Sequence, residues 1–453
     1  MTLSSISFGT DGVRGTYGQG AITEACFELI GHAFGLALVL QQAGPCQMVL
    51  GRDTRPSGPM LQVALSRGLR RAGVLVWDAG VLPTAAVAVL VQRLGAQAGA
   101  VISASHNPAV DNGVKFFDAQ GQKISDELQT QVQQWLTKER PDAVFPGEQK
   151  PLPNASGLFT EFLRESFPGL NLRSWRIVVD GAHGAAWHVA PALLRELGAE
   201  VIEMACTPDG EHINERCGAT HPQPLARLVR DARADLGLAF DGDADRLVVV
   251  DATGAVQDGD AILYLLTKAR LRHEPVPTVV GTVMSNKGLE DALSALGVEL
   301  LRTPVGDKHL AQALQSRALV LGAESSGHVL VYDKLKTGDG LLAALAVLQA
   351  MVQTQEPFHL LTRELKKMPQ VTLSARLSEA QRSGWRWQDE PGWHAALEQV
   401  QAWLNGQGRL LVRASGTEPV IRVMVEAHEQ ASAQACAEAL VHWLKAHAPA
   451  QAA

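Results

Sequence analysis

Cysteine is scarce in this chain: five residues, Cys26, Cys46, Cys206, Cys217 and Cys436, among 453. No C-x-x-C pair occurs and no spacing fits a zinc site, so neither a thiolate metal centre nor a disulfide framework is expected. The thiols read as buried or bystander groups of a reducing compartment. Long apolar runs are also missing. The longest, Leu29 to Leu40, carries His32 and is too short to span a bilayer. Met1 to Gly15 has no apolar core, so no signal peptide is expected and the reading is of a cytoplasmic protein with no membrane partner. Positive charge is not in excess: 40 Lys and Arg against 47 Asp and Glu leave a net −7, which argues against a nucleic-acid partner. The phosphate-loop pattern G-x-x-x-x-G-K-[ST] is absent. Gly338-Asp-Gly-Leu-Leu-Ala343 matches a dinucleotide fingerprint loosely, but a polar run, Asp333 to Thr337, precedes it where a strand is needed.

What remains is ordinary for a globular chain: 46% hydrophobic and 19% charged residues exclude disorder and coiled coil. At roughly 150 residues per domain the length suits about three domains, with two or four open. One pattern occurs three times: an apolar strand, a Gly-containing loop, a helix ending at a glycine, and a second strand. The copies run from Met48-Val-Leu-Gly-Arg-Asp53 through Gly73 to Val74-Leu-Val-Trp77, from Ile177-Val-Val-Asp-Gly181 through Gly198 to Ala199-Glu-Val-Ile202, and from Thr278-Val-Val-Gly-Thr282 through Gly297 to Val298-Glu-Leu-Leu301. Each reads as strand–helix–strand with largely parallel pairing, and the glycine after each helix fits a left-handed cap. Each copy is followed by another strand and a polar loop: Ser103-Ala-Ser-His-Asn-Pro108, Asp241-Gly-Asp-Ala-Asp-Arg246 and Gly322-Ala-Glu-Ser-Ser-Gly-His328. Ligands gather at strand carboxyl ends in open α/β sheets, so three such ends facing one cleft is the simplest arrangement.

The last segment differs. It reads as strand (370–375), helix (393–405), strand (408–413), strand (421–427) and helix (432–446), a small α+β unit beginning near Met368-Pro369. The polar, Pro-rich stretch Lys138 to Pro153 reads as a first linker. The expected fold is therefore α/β, three similar mixed-sheet α/β domains plus a smaller C-terminal α+β domain around a central cleft. The boundaries are 1–150, 151–252, 253–366 and 367–453.

Asp241, Asp243 and Asp245 follow the apolar strand Leu236 to Phe240. Residues i, i+2 and i+4 of extended backbone point to one side, so three carboxylates would converge. That is costly unless a hard divalent cation is bound. A calcium EF-hand fails because its sixth and twelfth positions are Arg246 and Ala252; a solvated acidic turn is the other reading. Asn107-Pro108 makes a turn that could expose Ser105, with His106 and Lys115 near it; a turn residue, a loop His and a surface Lys are the plainer readings. Arg14 lies in the glycine-rich loop Phe8-Gly-Thr-Asp-Gly-Val-Arg-Gly15, which suits phosphate. Arg413-Ala-Ser-Gly-Thr-Glu-Pro419 and the nearby Arg422 offer guanidinium groups, hydroxyls and backbone N–H groups, an oxyanion cradle or else a capped loop. Glu324 and Ser326 pair a carboxylate with a hydroxyl, a combination suited to sugar hydroxyls or to an ordinary polar loop.

Taken together and in this order, these motifs resemble the α-D-phosphohexomutase superfamily over essentially the whole chain. Phe8 to Gly15, Asp111-Asn-Gly-Val-Lys-Phe-Phe117 and Ile213-Asn-Glu-Arg-Cys-Gly-Ala-Thr-His221 are similar to its bacterial phosphoglucosamine mutase branch. The resemblance implies a four-domain enzyme that interconverts glucosamine 6-phosphate and glucosamine 1-phosphate for amino-sugar nucleotide synthesis, with a homodimer as its assembly. By the same resemblance Ser105 would be the phosphoserine. Asp241, Asp243 and Asp245 would hold one Mg²⁺ together with an oxygen on Ser105. Arg14, Lys115 and Arg246 would surround the transferring phosphoryl group, Glu324 and Ser326 would grip the sugar, and Arg413, Ser415, Gly416, Thr417 and Arg422 would bind the other phosphate. Glucosamine 1,6-bisphosphate would be the intermediate and activator. A phosphoserine carries roughly −2 charges, so with three aspartates the cluster would hold about −5 and demand a cation. Oxygen-only donors favour Mg²⁺ over Zn²⁺. A phosphoglucomutase or phosphomannomutase, a metal-dependent sugar phosphatase and an inactive phosphosugar-binding regulator are the competing assignments.

Overall fold

Apolar β-branched segments bury on both faces and supply the sheets; the computed structural model describes residues 12–41, 44–138, 140–376, 385–414 and 420–448. The first sheet holds β1 (Val13–Thr16), β2 (Gln47–Arg52), β3 (Leu75–Val81), β4 (Ala98–Ile102), β5 (Asp111–Asp118) and β6 (Gln149–Pro151), in the order β1-β5-β4-β2-β3-β6. Its centre is parallel, β2 pairing with both β3 and β4, and β5 then runs antiparallel to β4. The stretch expected as a linker is not free chain: β6 adds to β3 as a parallel edge strand, the place in a sheet where Pro151 and exposed polar residues are tolerated.

The second sheet repeats the plan with β7 (Arg176–Asp180), β8 (Glu200–Met204), β9 (Leu236–Phe240), β10 (Leu247–Asp251) and β11 (Val256–Gln257), in the order β11-β10-β9-β7-β8. Strand β7 is parallel to β8 and β9, and β10 is antiparallel to β9. The third holds β12 (Thr278–Thr282), β13 (Glu299–Thr303), β14 (Leu321–Ala323) and β15 (Val329–Val331), in the order β13-β12-β14-β15, with β12–β14 parallel and β14–β15 antiparallel. The expected repeat is real, and pairing is mixed because each parallel core continues into an antiparallel hairpin, to which the first two sheets add a further antiparallel edge strand, β1 and β11. The three polar loops are the connections of those hairpins: β4 to β5, β9 to β10 and β14 to β15. The glycines closing the repeat helices, Gly73, Gly198 and Gly297, have φ of 89°, 102° and 76°, the left-handed caps expected of them.

The fourth sheet is antiparallel, β16 (Gln370–Arg376), β18 (Val420–Glu426) and β17 (Arg409–Ala414) in the order β16-β18-β17. The helices Trp393–Leu404 and Gln430–His447 pack their apolar residues with Ile421, Val423 and Val425 in one core. By contacts the chain divides into two compact units, residues 1–282 with 301–363, and residues 283–300 with 364–453. In the second unit Asn286 donates to Met368 O at 3.0 Å and accepts from Met368 N at 2.9 Å. Buried Glu426 accepts there from Lys287 N at 2.9 Å and from Arg409 Nε at 3.1 Å, which fastens the helix Lys287–Ala295 to the small sheet. All five cysteines are free thiols, four of them buried. Among the described residues no helix is long and apolar enough to cross a membrane.

Candidate active site

Strand β9 is wholly buried and leads directly into Asp241. The three aspartates do converge, but a turn brings them together where alternation along an extended strand was expected. Ala244 N donates to Asp241 O at 3.0 Å, and Ala244 takes the left-handed φ of 57°. The reversal folds the chain back on itself, and one carboxylate oxygen from each of Asp241, Asp243 and Asp245 lies within 4.8 Å of the others, all three residues buried. Thr84, which opens a helix of the first domain, donates its N–H to Asp243 O at 2.9 Å and its hydroxyl to Asp243 Oδ2 at 2.6 Å.

Ser105 meets this cluster from the first sheet. It sits in the loop after β4, is 1% exposed, and has φ of 52°. A non-glycine residue adopts that region at a cost, and here it aims the side chain out of the loop. Its hydroxyl donates to Asp241 Oδ2 at 2.5 Å. Its carbonyl accepts from Asn214 Nδ2 at 2.9 Å, a residue of the second domain.

The charges around this contact alternate in sign. Lys115 stands on β5 opposite Val101 of β4, is 1% exposed, and donates at 2.7 Å to both Asp243 Oδ2 and Asp245 Oδ2. Arg246 donates its backbone N–H to Asp241 Oδ1 at 3.1 Å and forms a β-bridge with His328. His328 lies between two carboxylates, Nδ1 at 3.8 Å from Asp245 Oδ1 and Nε2 at 3.6 Å from Asp307 Oδ2. Burial would discharge that imidazole, but Asp245, Asp307 and Glu324 outweigh it and push its pKa up to about 9. Burial likewise raises Asp245, yet Lys115, His328 and Arg246 together hold it well below the usual carboxylate range. Asp241 moves the other way: burial first, then the charges of Asp245 and Asp243, raise it well above an ordinary carboxylate. Arg14 stands on β1 opposite Gly113 of β5. Burial, followed by the charges of Arg246 and Arg14, lowers His106 to about 4, so His106 is a neutral ring beside Ser105 at neutral pH.

The donors fit a hard divalent cation. They are all oxygen, and Asp243 Oδ1 and Asp245 Oδ1 are buried without a hydrogen-bond partner. A buried carboxylate oxygen left so is expensive, and a cation on the open side of the cluster satisfies it.

Glu324 and Ser326 lie in the hairpin loop between β14 and β15. Glu324 Oε1 accepts from Gly306 N at 2.8 Å, and the exposed Ser326 hydroxyl donates to Oε2 at 3.3 Å. His328 of the same loop ties this hairpin to Asp245. In the second unit Arg413 and Arg422 are direct cross-strand partners of β17 and β18, so their side chains share one face. Ser415, Gly416 and Thr417 fall outside the described residues. Several residues that shape the site were not anticipated: Asp53 and Arg55 after β2, Thr84, and Asn214. The one sequence signal for Asp53 and Arg55 was their place at the carboxyl end of a repeat's first strand.

Comparison with known proteins gives the family of the chain. Family models for phosphoglucomutase/phosphomannomutase match in order: alpha/beta/alpha domain I over residues 5–142, domain II over 158–254, domain III over 258–368 and the C-terminal domain over 373–442. The phosphoglucosamine mutase of Polaromonas naphthalenivorans (strain CJ2) is 47% identical over 436 residues, 95% of this chain and 97% of that one. That of Methylibium petroleiphilum is 45% identical over 457 residues, covering 96% of this chain and 98% of its own. Among solved structures, a phosphoglucomutase/phosphomannomutase family protein from Burkholderia thailandensis superposes with a TM-score of 0.81 at 26% identity, covering 99% of both chains. The chain therefore belongs to the phosphoglucomutase/phosphomannomutase family, in the branch of the bacterial phosphoglucosamine mutases.

Proposed function

We propose that this enzyme interconverts glucosamine 6-phosphate and glucosamine 1-phosphate, with Ser105 as the phosphoryl carrier and glucosamine 1,6-bisphosphate as the intermediate. The observation that carries the reading is the buried Ser105 hydroxyl bonded at 2.5 Å to one of three clustered aspartates. The naming of relatives at 47% identity supports the substrate. In the first half-reaction the bond from Ser105 Oγ to phosphorus breaks as a bond from the free sugar hydroxyl forms, and the proton that hydroxyl loses ends on Ser105 Oγ. The bisphosphate then turns end for end, and its other phosphate returns to Ser105. Phosphoryl transfer leaves the protein mainly positioning and charge stabilisation. Asp241, Asp243 and Asp245 would hold Mg²⁺, which when bound neutralises charge on the transferring oxygens.

Lys115, Arg14 and Arg246 supply further positive charge around the carrier, and the same Lys115 keeps the aspartates compatible with one another. Glu324 and Ser326 hold the sugar hydroxyls. Arg413 and Arg422, with Ser415, Gly416 and Thr417, take the phosphate that is not reacting. Two guanidinium groups opposed across β17 and β18 offer paired, planar donors to one phosphate, which supports that role. The four domains run over 1–150, 151–252, 253–366 and 367–453. The enzyme works in the cytoplasm as a homodimer, in keeping with its free thiols. The test is ³¹P NMR of the purified enzyme with Mg²⁺, a trace of hexose 1,6-bisphosphate, and either glucosamine 6-phosphate or glucose 6-phosphate. Faster formation of glucosamine 1-phosphate is expected. Faster glucose conversion would move the substrate to that of a phosphoglucomutase, and accumulation of inorganic phosphate alone would make the enzyme a phosphatase.

A further inference from the structure

Arg55 is 0% exposed, and its hydrogen bonds go to Asp53 and to backbone carbonyls rather than to the three aspartates that would hold the metal. We infer that Arg55, paired with Asp53, is the positioning residue of Ser105, holding the loop in the one conformation from which the hydroxyl reaches Asp241. The inference rests on the reading of Ser105 as the phosphoryl carrier.

A guanidinium has five N–H donors, and Arg55 uses all of them. Its Nε donates to Asp53 Oδ2 at 2.9 Å. Its Nη1 donates to Pro108 O and, at 2.9 Å, to Asp111 O. Its Nη2 donates at 2.8 Å to Ser105 O and at 2.8 Å to Asn107 O. Three of these carbonyls belong to the turn that carries Ser105 from β4 to β5, and the fourth, that of Asp111, opens β5.

Asp53 secures the other flank of the same residue. Its Oδ2 accepts from the Ser103 hydroxyl at 2.6 Å, and that hydroxyl accepts from Ser105 N at 2.8 Å. The N–H and the C=O of Ser105 therefore both end on one buried ion pair. A lysine could not replace the guanidinium, because three donors on a single nitrogen cannot span four carbonyls and a carboxylate. Burying two charges is costly, and apolar packing would serve stability as well. What the pair adds is geometry: it holds Ser105 at φ of 52°, a left-handed conformation the surroundings must impose on a serine.

The test uses the full-length enzyme with Arg55→Lys and Arg55→Gln. Both are assayed for turnover and for single-turnover transfer of labelled phosphate from hexose 1,6-bisphosphate onto the protein. A misplacement of about 1 Å costs on the order of 10²-fold in rate, so kcat and the transfer rate should fall together by about that factor. KM for the phosphosugar should stay within about twofold, since uniform binding is untouched. A folded Arg55→Lys enzyme with unchanged kcat, or one whose loss lies in KM, would overturn the inference. If neither arginine variant folds, Ser103→Ala cuts the link from Asp53 to Ser105 N without removing a charge. It should lower the transfer rate about tenfold, by the same argument from misplacement, and an unchanged rate would overturn the inference. Ser105→Ala run alongside separates the two claims. If that variant still turns over, the carrier assignment fails; if it is inactive while Arg55→Lys is unimpaired, only the positioning role fails.

Discussion

Ser105 and Asp241 stand 136 positions apart in the chain and share a 2.5 Å hydrogen bond, hydroxyl to carboxylate. Each lies in the loop that follows a parallel strand, β4 for Ser105 and β9 for Asp241, so two copies of one repeat place a carrier against a cation ligand. Removing the hydroxyl removes the atom that bears the phosphoryl group. Ser105→Ala should lower turnover by about 10³-fold or more, the scale of losing a nucleophile. Steady-state assay of a variant confirmed folded by circular dichroism checks this.

Lys115 is the internal counter-ion of two buried aspartates. Taking one member from a buried ionic group leaves uncompensated charge, at a cost of about 3–5 kcal/mol. Lys115→Met should therefore destabilise the metal-free enzyme by about that much in urea unfolding. Saturating Mg²⁺ should recover part of the loss, because a cation among the aspartates takes over the compensation. An equal loss with and without Mg²⁺ would mean that no cation binds there.

Asp180, at the end of β7, accepts from Ala182 N at 3.0 Å and from Gly218 N at 2.7 Å. Burial still raises its pKa from 3.8 to about 6. The folded protein holds this proton more tightly than the unfolded chain, so the group favours folding below about pH 4 and that contribution is lost as pH rises through 6. Asp180→Asn cannot titrate. Relative to the parent, its stability should improve between pH 4 and 7 by an amount on the order of 3 kcal/mol. Denaturant titrations at a series of pH values read this difference, and a pH-independent gap would refute the burial argument.

Arg413→Ala removes one of two guanidinium groups that face each other across β17 and β18. KM for the phosphosugar should rise about tenfold or more, since a charged hydrogen bond to phosphate is lost. A variant with unchanged KM would place the second phosphate elsewhere.

The three strand–helix–strand copies were legible because apolar runs, helix length and a closing glycine repeat along the chain, and Gly73, Gly198 and Gly297 do take positive φ. The polar loops were legible for the same reason, since each follows a strand of the repeat. The contacts that make a site of them were not. The aspartates converge through left-handed Ala244, a conformation that alternation along a strand does not foresee. Arg55 and Asn214 act on carbonyls tens of residues away, and a backbone acceptor leaves no mark in side-chain pattern. His328 was visible in its motif, but its place between Asp245 and Asp307 depends on the third sheet meeting the second. The polar stretch 138–153 concealed β6, because an edge strand needs no apolar alternation.

The most direct test of the central claim is to locate the phosphate on the protein. Enzyme incubated with labelled hexose 1,6-bisphosphate and Mg²⁺, then digested and sequenced by tandem mass spectrometry, should carry one phosphoryl group, on Ser105. That group should be discharged when excess glucosamine 6-phosphate is added. Label on another residue, or turnover with no labelled protein under the same conditions, would contradict the account.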